Sequence, residues 1–509
     1  MPEAAAAGLS AGRAGSQAPA GAKQTSFRYT DLLDPLGADG SASHLIGDEA
    51  WLAALVRAEV ALSRALVSAG VAPTWMLAVT DTVGEPGVVD PGAIAVAARA
   101  GGNPVIPLVA RLSALAEERH PGSAEFVHVG ATSQDMVDSA AMFLAARVLD
   151  RVTDDLRQLG SALTVLAEQH RRTPQAGRTL GQHAAPTTFG FVVAGWLDAV
   201  CTVIEQATDA RQRLPASLSG AVGTLAVLTQ VVSGSAEAGG ERSGEHPDAS
   251  ETVDAVVTAF AAELGLAAPA LSWHTNRLPV AEVGSVLAAV TGVMGSIASQ
   301  VAELSRTEIG ELSEGLAAGE GGSSAMPHKR NPVASVLIVA GAKQAPGLVS
   351  TLYGSLIAED QRAIGGWHAE WQTLRQLERI ALECVGAAVP LVSNLHVDET
   401  RMRSNLDLTH GLLYSERLSA ALAQHLGRAE AFALVRGASG DVSAGLSPGL
   451  SLADALDARL ASVGHTADGA VRAAVREGSN PDAGHDHTAA GIDRVLARFA
   501  ALAAPGDHS

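Results

Sequence analysis

The stretch "GGSSAMPHKRNP", residues 321–332, sets two serines beside His328, Lys329 and Arg330. A hydroxyl among cations can act as a base that a free hydroxyl cannot, and the same cations can hold an anion. Gly321 and Gly322 permit unusual backbone angles, and Asn331-Pro332 makes a good N-cap and N1 pair for a following helix. The loop would then deliver Ser323, Lys329 and Asn331 to a helix start, where unpaired N–H groups and the dipole favour negative charge. A solvated linker has a similar composition, so this stretch alone leaves both readings open.

Two more polar islands interrupt the alanine-rich background, each at an expected helix end. In "HVGATSQDMVDSA" (128–140), Thr132 and Ser133 open a helix and could bind an anion there; an ordinary N-cap preceded by a core histidine, His128, is the bland alternative. "GRTLGQHAAPTTFGF" (177–191) gathers Arg178, Thr179, Gln182, His183, Thr187 and Thr188 ahead of an apolar helix. Pro186 and the two threonines would also serve a purely structural helix entry.

The elements that must position these islands are helices. Hydrophobic residues make up 47% of the 509 residues and aromatics only 3%, so the core is built of small aliphatic side chains that suit packed helices. In 48–70, Trp51, Leu52, Leu55, Val56 and Leu62 form one stripe, with Asp48 placed to cap and Gly70 to stop it. Further helical patterns cover roughly 133–170, 184–214, 279–313, 333–357, 371–390 and 411–435, long enough for an extended bundle. Residues 233–252 read as an exposed loop and 479–491 as a shorter break. An all-α molecule follows: a disordered tail (1–27), an N-terminal helical domain (28–121), a central long-helix bundle (122–366) and a C-terminal helical domain (367–509).

The net charge of −19 disfavours nucleic acid and anionic membranes as partners. No apolar stretch of transmembrane length is apparent, and the N-terminus lacks the layout of a signal peptide. Two distant cysteines give no disulfide framework, which points to the cytoplasm. No dinucleotide turn and no ligand-spaced His/Cys set appears, so no cofactor or metal is expected.

"GSSAMPHKRNP" (322–332) resembles the signature of the fumarase/aspartase superfamily, and the other two islands resemble its remaining conserved regions in order. Within it, "SWHTNR" (272–277), "GGWHAEW" (365–371) and "NLDLTHGLLYSE" (405–416) are most similar to the 3-carboxy-cis,cis-muconate cycloisomerase branch, which includes related nitrosuccinate lyases. The resemblance runs from about residue 30 to the C-terminus. It implies a homotetramer acting on a small anionic polycarboxylate, with each site assembled from three chains. By the same resemblance Ser323 is the base, and Lys329 and His128 complete the catalytic set. Thr132, Ser133, Arg178, Thr179, Gln182, His183, Arg277, Ser324, Met326 and Asn331 are the implied substrate contacts.

Two departures narrow the chemistry. Members that protonate their leaving group pair a histidine of the second region with a glutamate after the serine loop, and here those positions are Leu180 and Val336. The leaving group expected is therefore one that departs as a stable anion. Where several cycloisomerases carry tryptophan, this chain has Val129 and Leu180, which leans the reading towards nitrosuccinate, giving fumarate and nitrite, over lactonisation of a flat diene. An adenylosuccinate-type lyase would keep the dyad, and a non-catalytic descendant would have no need of Ser323, Lys329 and Asn331.

Overall fold

The computed structural model describes residues 33–37, 42–238, 248–315, 321–322, 326, 328–445, 449–465 and 469–504. The expected tail (1–27) lies outside them. Helices dominate the described chain. They are α1 (Ser43–Ile46), α2 (Asp48–Ser68), α3 (Met76–Val83), α4 (Pro91–Gly101), α5 (Val105–Arg119), α6 (Ser133–Gln169), α7 (Phe189–Arg213), α8 (Ala226–Ala238) and α9 (Ala249–Leu264). There follow α10 (Leu278–Leu304), α11 (Val333–Gly354), α12 (Gly366–Ser393), α13 (Glu399–Leu406), α14 (Ser415–Leu426), α15 (Arg428–Ser443), α16 (Leu452–Ser462), α17 (Gly469–Gly478) and α18 (Asp486–Ala503).

Several spans differ from expectation, each for a local reason. Residues 184–188 belong to a hairpin of β1 (Pro174–Thr179) and β2 (Gln182–Thr188), and Thr188 caps α7 through its hydroxyl. A second, minimal pair joins β3 (Leu312–Ser313) to β4 (His396–Val397). Gly427, at φ 81°, splits the pattern expected over 411–435 into α14 and α15. Both ends of the loop expected over 233–252 are helical, because α8 runs to Ala238 and α9 starts at Ala249 under the Asp248 cap, and residues 239–247 lie outside the described ones.

Five helices form the central bundle, and their ends fix its polarity. α6 rises from the first island, and α7 descends from the hairpin to the 217–220 segment that grips Asp135. α10 starts beside Asp135 and Asp138 and ends near Glu311, whose N–H bonds Leu304. α11 returns, so that Arg362 beyond its end reaches Thr132, and α12 runs back from Glu370 to the β3–β4 pair. Close approach of α10 and α11 requires glycine at Gly295, where a Cβ would lie 2.4 Å from Ala342 Cβ.

Three apolar cores organise the described residues. The bundle core takes in α12, from Leu374 to Val392, and α12 begins at Gly366. It also recruits Ile492 and Phe499 from α18. A second core joins α2, α3 and α5 to the start of α6 and to α9. A third lies within Leu406–Val475, with Ala176 of the hairpin against it.

The expectation that no stretch reaches transmembrane length is corrected. α7, α10 and α11 are long and apolar enough, by length and composition alone, to cross a bilayer. Small apolar residues bring these helices close together, and that same composition raises their hydropathy. In α11 only 22% of the apolar window is buried within this chain, against 56% in the other two.

Candidate active site

At one end of the bundle the first island is built around a buried carboxylate. Thr132 and Asp135 form a capping box at the start of α6. Asp135 also accepts from the Ser219 and Gly220 N–H groups, both at 2.9 Å, and meets His274 Nε2 at 2.7 Å. One turn on, Asp138 receives Arg277 through both of its oxygens, at 2.7 and 3.0 Å, and Trp367 Nε1 at 3.0 Å. Glu370 closes on the other side of Arg277 at 2.6 Å.

This arrangement corrects the reading of Arg277. Its side chain is 3% exposed and bound between two carboxylates, so it locks α6, α10 and α12 together and presents no free cation to a substrate. Breaking such a buried cluster by removing one charge would leave two carboxylates uncompensated. Arg362 meets the polar start of the first island, donating from Nε to Gln134 Oε1 at 2.9 Å and from Nη2 to Thr132 Oγ1 at 3.1 Å. Sequence reasoning missed it, because "EDQRAIGG" has no periodicity and resembles any polar connection.

His128 stands at the same end in the left-handed region, with φ 60°. Its Nδ1 lies 2.7 Å from Glu59, which is buried. Burial alone would lower its pKa, but the hydrogen bond and charge of Glu59, aided by Asp135, outweigh that and raise it above the usual histidine value. That shift favours the imidazolium, a form that suits an anion better than it suits proton abstraction.

The second and third islands occupy the opposite end. Glu311, fully buried, accepts from Gln175, from Arg178 through both guanidinium Nη atoms, and from Asn405 of the "NLDLTH" stretch. Arg178 therefore anchors the hairpin. His183, opposite Arg178 in the register, is held below the usual histidine pKa by burial and then by the Arg178 charge, which favours neutral imidazole. At the tip, Leu180 (φ 52°) and Gly181 (φ 78°) make a two-residue turn, exposing Thr179, Gln182 and all of Leu180.

Three residues after Glu311, Glu314 caps α11 from twenty residues away. Its carboxylate accepts from Ala334 N at 3.1 Å, Ser335 N at 2.8 Å and Ser335 Oγ at 2.7 Å. The expected Asn331–Pro332 cap is thus displaced: Pro332 is the N-cap residue, and Asn331 donates both its N–H and its amide to Gly321 O. Lys329 and Met326 are exposed nearby. Ser323 and Ser324 lie outside the described residues. Among the described residues no group of His, Cys, Asp or Glu is arranged to hold a metal ion.

One chain does not join these islands. The first precedes α6 and the hairpin follows it, and 37 helical residues put about 55 Å between them. Thr132, Ser133, His128 and Arg362 share one end; Arg178, Thr179, Gln182, His183, Lys329 and Asn331 share the other.

A family model described as a lyase matches residues 43–347. Over 427 residues the chain is 43% identical to a nitrosuccinate lyase of Streptomyces davaonensis, covering 84% of this chain and 87% of that one. It is 41% identical to a 3-carboxy-cis,cis-muconate cycloisomerase of Pseudomonas aeruginosa over 395 residues, 77% of this chain and 81% of the other. Among solved structures, the 3-carboxy-cis,cis-muconate lactonizing enzyme of Pseudomonas putida superposes with a TM-score of 0.79 at 32% identity, over 91% of this chain and 97% of its own. Matched in sequence and in structure along most of its length, the chain belongs to the fumarase/aspartase superfamily and is a lyase of it.

Proposed function

We propose that this lyase eliminates a stable anion from the carbon β to a carboxylate, with nitrosuccinate as substrate and fumarate and nitrite as products. One observation carries the reading: both positions where the superfamily's acid pair would stand, Leu180 and Val336, are apolar. A side chain without an acidic proton cannot help an amine or hydroxide depart, whereas nitrite leaves with the C–N bonding pair unaided. Ser323 takes the proton next to the carboxylate, and the resulting dianion is held by fixed donors and cations, Lys329 and Asn331 from one end and Thr132 and Arg362 from the other. The 43% identical nitrosuccinate lyase supports this choice.

Because the two groups lie at opposite ends of the bundle, a complete site takes its parts from more than one copy in a homotetramer. The under-covered apolar face of α11 is the surface on which copies would meet.

Lactonisation of 3-carboxy-cis,cis-muconate is the second reading, favoured by the 41% identical cycloisomerase. Both are read by one pair of assays: nitrite release from nitrosuccinate, and loss of diene absorbance from 3-carboxy-cis,cis-muconate. The proposal expects nitrite in an amount equal to fumarate, abolished in Ser323→Ala. Diene loss without nitrite would replace it with the cycloisomerase, and full activity in Ser323→Ala would remove the serine base.

A further inference from the structure

Arg277 and Arg178 both end on buried carboxylates, and Arg362 does not. Its Nε donates to Gln134 Oε1 at 2.9 Å, and its Nη2 donates to Thr132 Oγ1 at 3.1 Å and to Ala221 O at 3.4 Å. Each of these acceptors is neutral. The guanidinium also lies over Trp367, with Cζ 5.8 Å from the ring centroid, and an aromatic face attracts a cation without cancelling its charge. Nη1 and its two N–H groups have no acceptor among the described residues. A half-buried cation held only by neutral groups keeps its charge for an anion that arrives from outside.

Two supports of Arg362 share one root. Gln134 is fully buried, and its amide NH2 donates to Asp138 Oδ2 at 3.2 Å and to His274 O at 3.0 Å. A flipped amide would set its NH2 against the Nε–H of Arg362 and its oxygen against Asp138, so the orientation is fixed and the oxygen faces Arg362. Trp367 is held by the other carboxylate oxygen, through Nε1 to Asp138 Oδ1 at 3.0 Å. Asp138 does not itself draw Arg362 inward, because Arg277 already occupies both of its oxygens, at 2.7 and 3.0 Å. The buried charge is answered inside the cluster, and only a fixed amide dipole and a ring face are passed on to Arg362.

We propose that Gln134 and Trp367 are positioning residues that hold Arg362 in a neutral slot, so that its free Nη1 meets one carboxylate of the substrate. A cation fixed from two sides stabilises developing negative charge without having to reorganise as it forms. The identity of the substrate rests on the elimination proposed above, whereas the slot is tested without any turnover.

Guanidinium ion is the probe. Arg362→Ala empties the slot and leaves its acceptors and ring in place. Titrated calorimetrically into that full-length variant, guanidinium chloride should bind with a Kd of about 10 mM or tighter. Sodium chloride is the ionic control, and the parent chain should give no such heat. Adding Gln134→Met should weaken binding about tenfold, the worth of one hydrogen bond to a cation. Adding Trp367→Phe, which keeps a ring, should weaken it about threefold, and carries the same comparison if circular dichroism shows that Gln134→Met does not fold. In nitrosuccinate turnover Arg362→Ala should lose about a hundredfold in kcat/KM, and guanidinium should restore part of it, except where Gln134→Met is also present. The inference is overturned if Arg362→Ala binds guanidinium no better than the parent chain does, or if neither added substitution weakens that binding. Guanidinium binding to Arg362→Ala, with no turnover of nitrosuccinate by the parent chain, would keep the slot and remove the reaction.

Discussion

Leu180 combines two costs at one residue. A non-glycine side chain at positive φ is disfavoured by about 1 kcal/mol or more, and a fully exposed leucine recovers nothing by burial. Leu225, also at positive φ, at least packs against the second core. Strain without packing return belongs to positions kept for function. Leu180→Asn places a residue tolerant of this turn, and should raise stability by about 1 kcal/mol while lowering turnover of nitrosuccinate; a denaturant midpoint and a nitrite assay read the two effects. His128 makes a second prediction. Its raised pKa means the imidazolium is present below that value and is lost as pH rises through it. The stability contributed by its pairing with Glu59 is likewise full below the ordinary histidine value and fades as pH passes the raised one. Glu59→Gln should lower the His128 pKa in an NMR titration, and should move the alkaline loss of activity to lower pH if the cation holds substrate.

Among the elements, α12 carries two carboxyls whose pKa burial raises. Arg277 reaches it through Glu370, whose pKa burial pushes up despite the neighbouring guanidinium. Further along, Glu378 is fully buried, and neither carboxyl oxygen has a hydrogen-bond partner among the described residues. Burial raises its pKa from 4.5 to about 8. Between those values the native carboxyl keeps its proton while the unfolded one ionises, so stability falls as pH rises through that window and is level on either side. Glu378→Gln removes this slope. Its advantage over the parent chain should grow from pH 4.5 to about pH 8, reaching a few kcal/mol; equal midpoints at pH 5 and pH 8 would contradict the burial argument.

At the scale of the molecule, the exposed side of α11 carries Val333, Val336, Ala340, Lys343 and Gly347 at alternating steps of three and four residues, the spacing of a single helix face. A face that is apolar but for one lysine, with the small Ala340 in its middle, suits close packing against helices of other copies. Ala340→Glu would bury a charge in that contact, which costs far more than any solvated substitution. Light scattering should find the parent chain tetrameric and this variant dissociated, with lyase activity lost even though Ser323 and Lys329 are untouched. An active monomer would show that one chain suffices.

The sequence by itself determined the long helices, because their apolar periodicity is local, and it marked the three islands, because polar and cationic residues stand out in an alanine-rich chain. It also determined that Leu180 and Val336 carry no acidic proton, which is a matter of residue type. The hairpin was not legible: "PQAGRT" and "QHAAPTT" lack the alternating branched residues that mark strands, and the β1–β2 pairing is completed by anchors at Glu311 and Asn405, over a hundred residues away. Which arginine is free was not legible either. Arg277, Arg178 and Arg362 read alike in sequence, and only folding placed two of them on buried carboxylates and the third beside Thr132. Charge on a side chain is local, but its neutralisation depends on partners from distant segments, and that was decided by the tertiary structure.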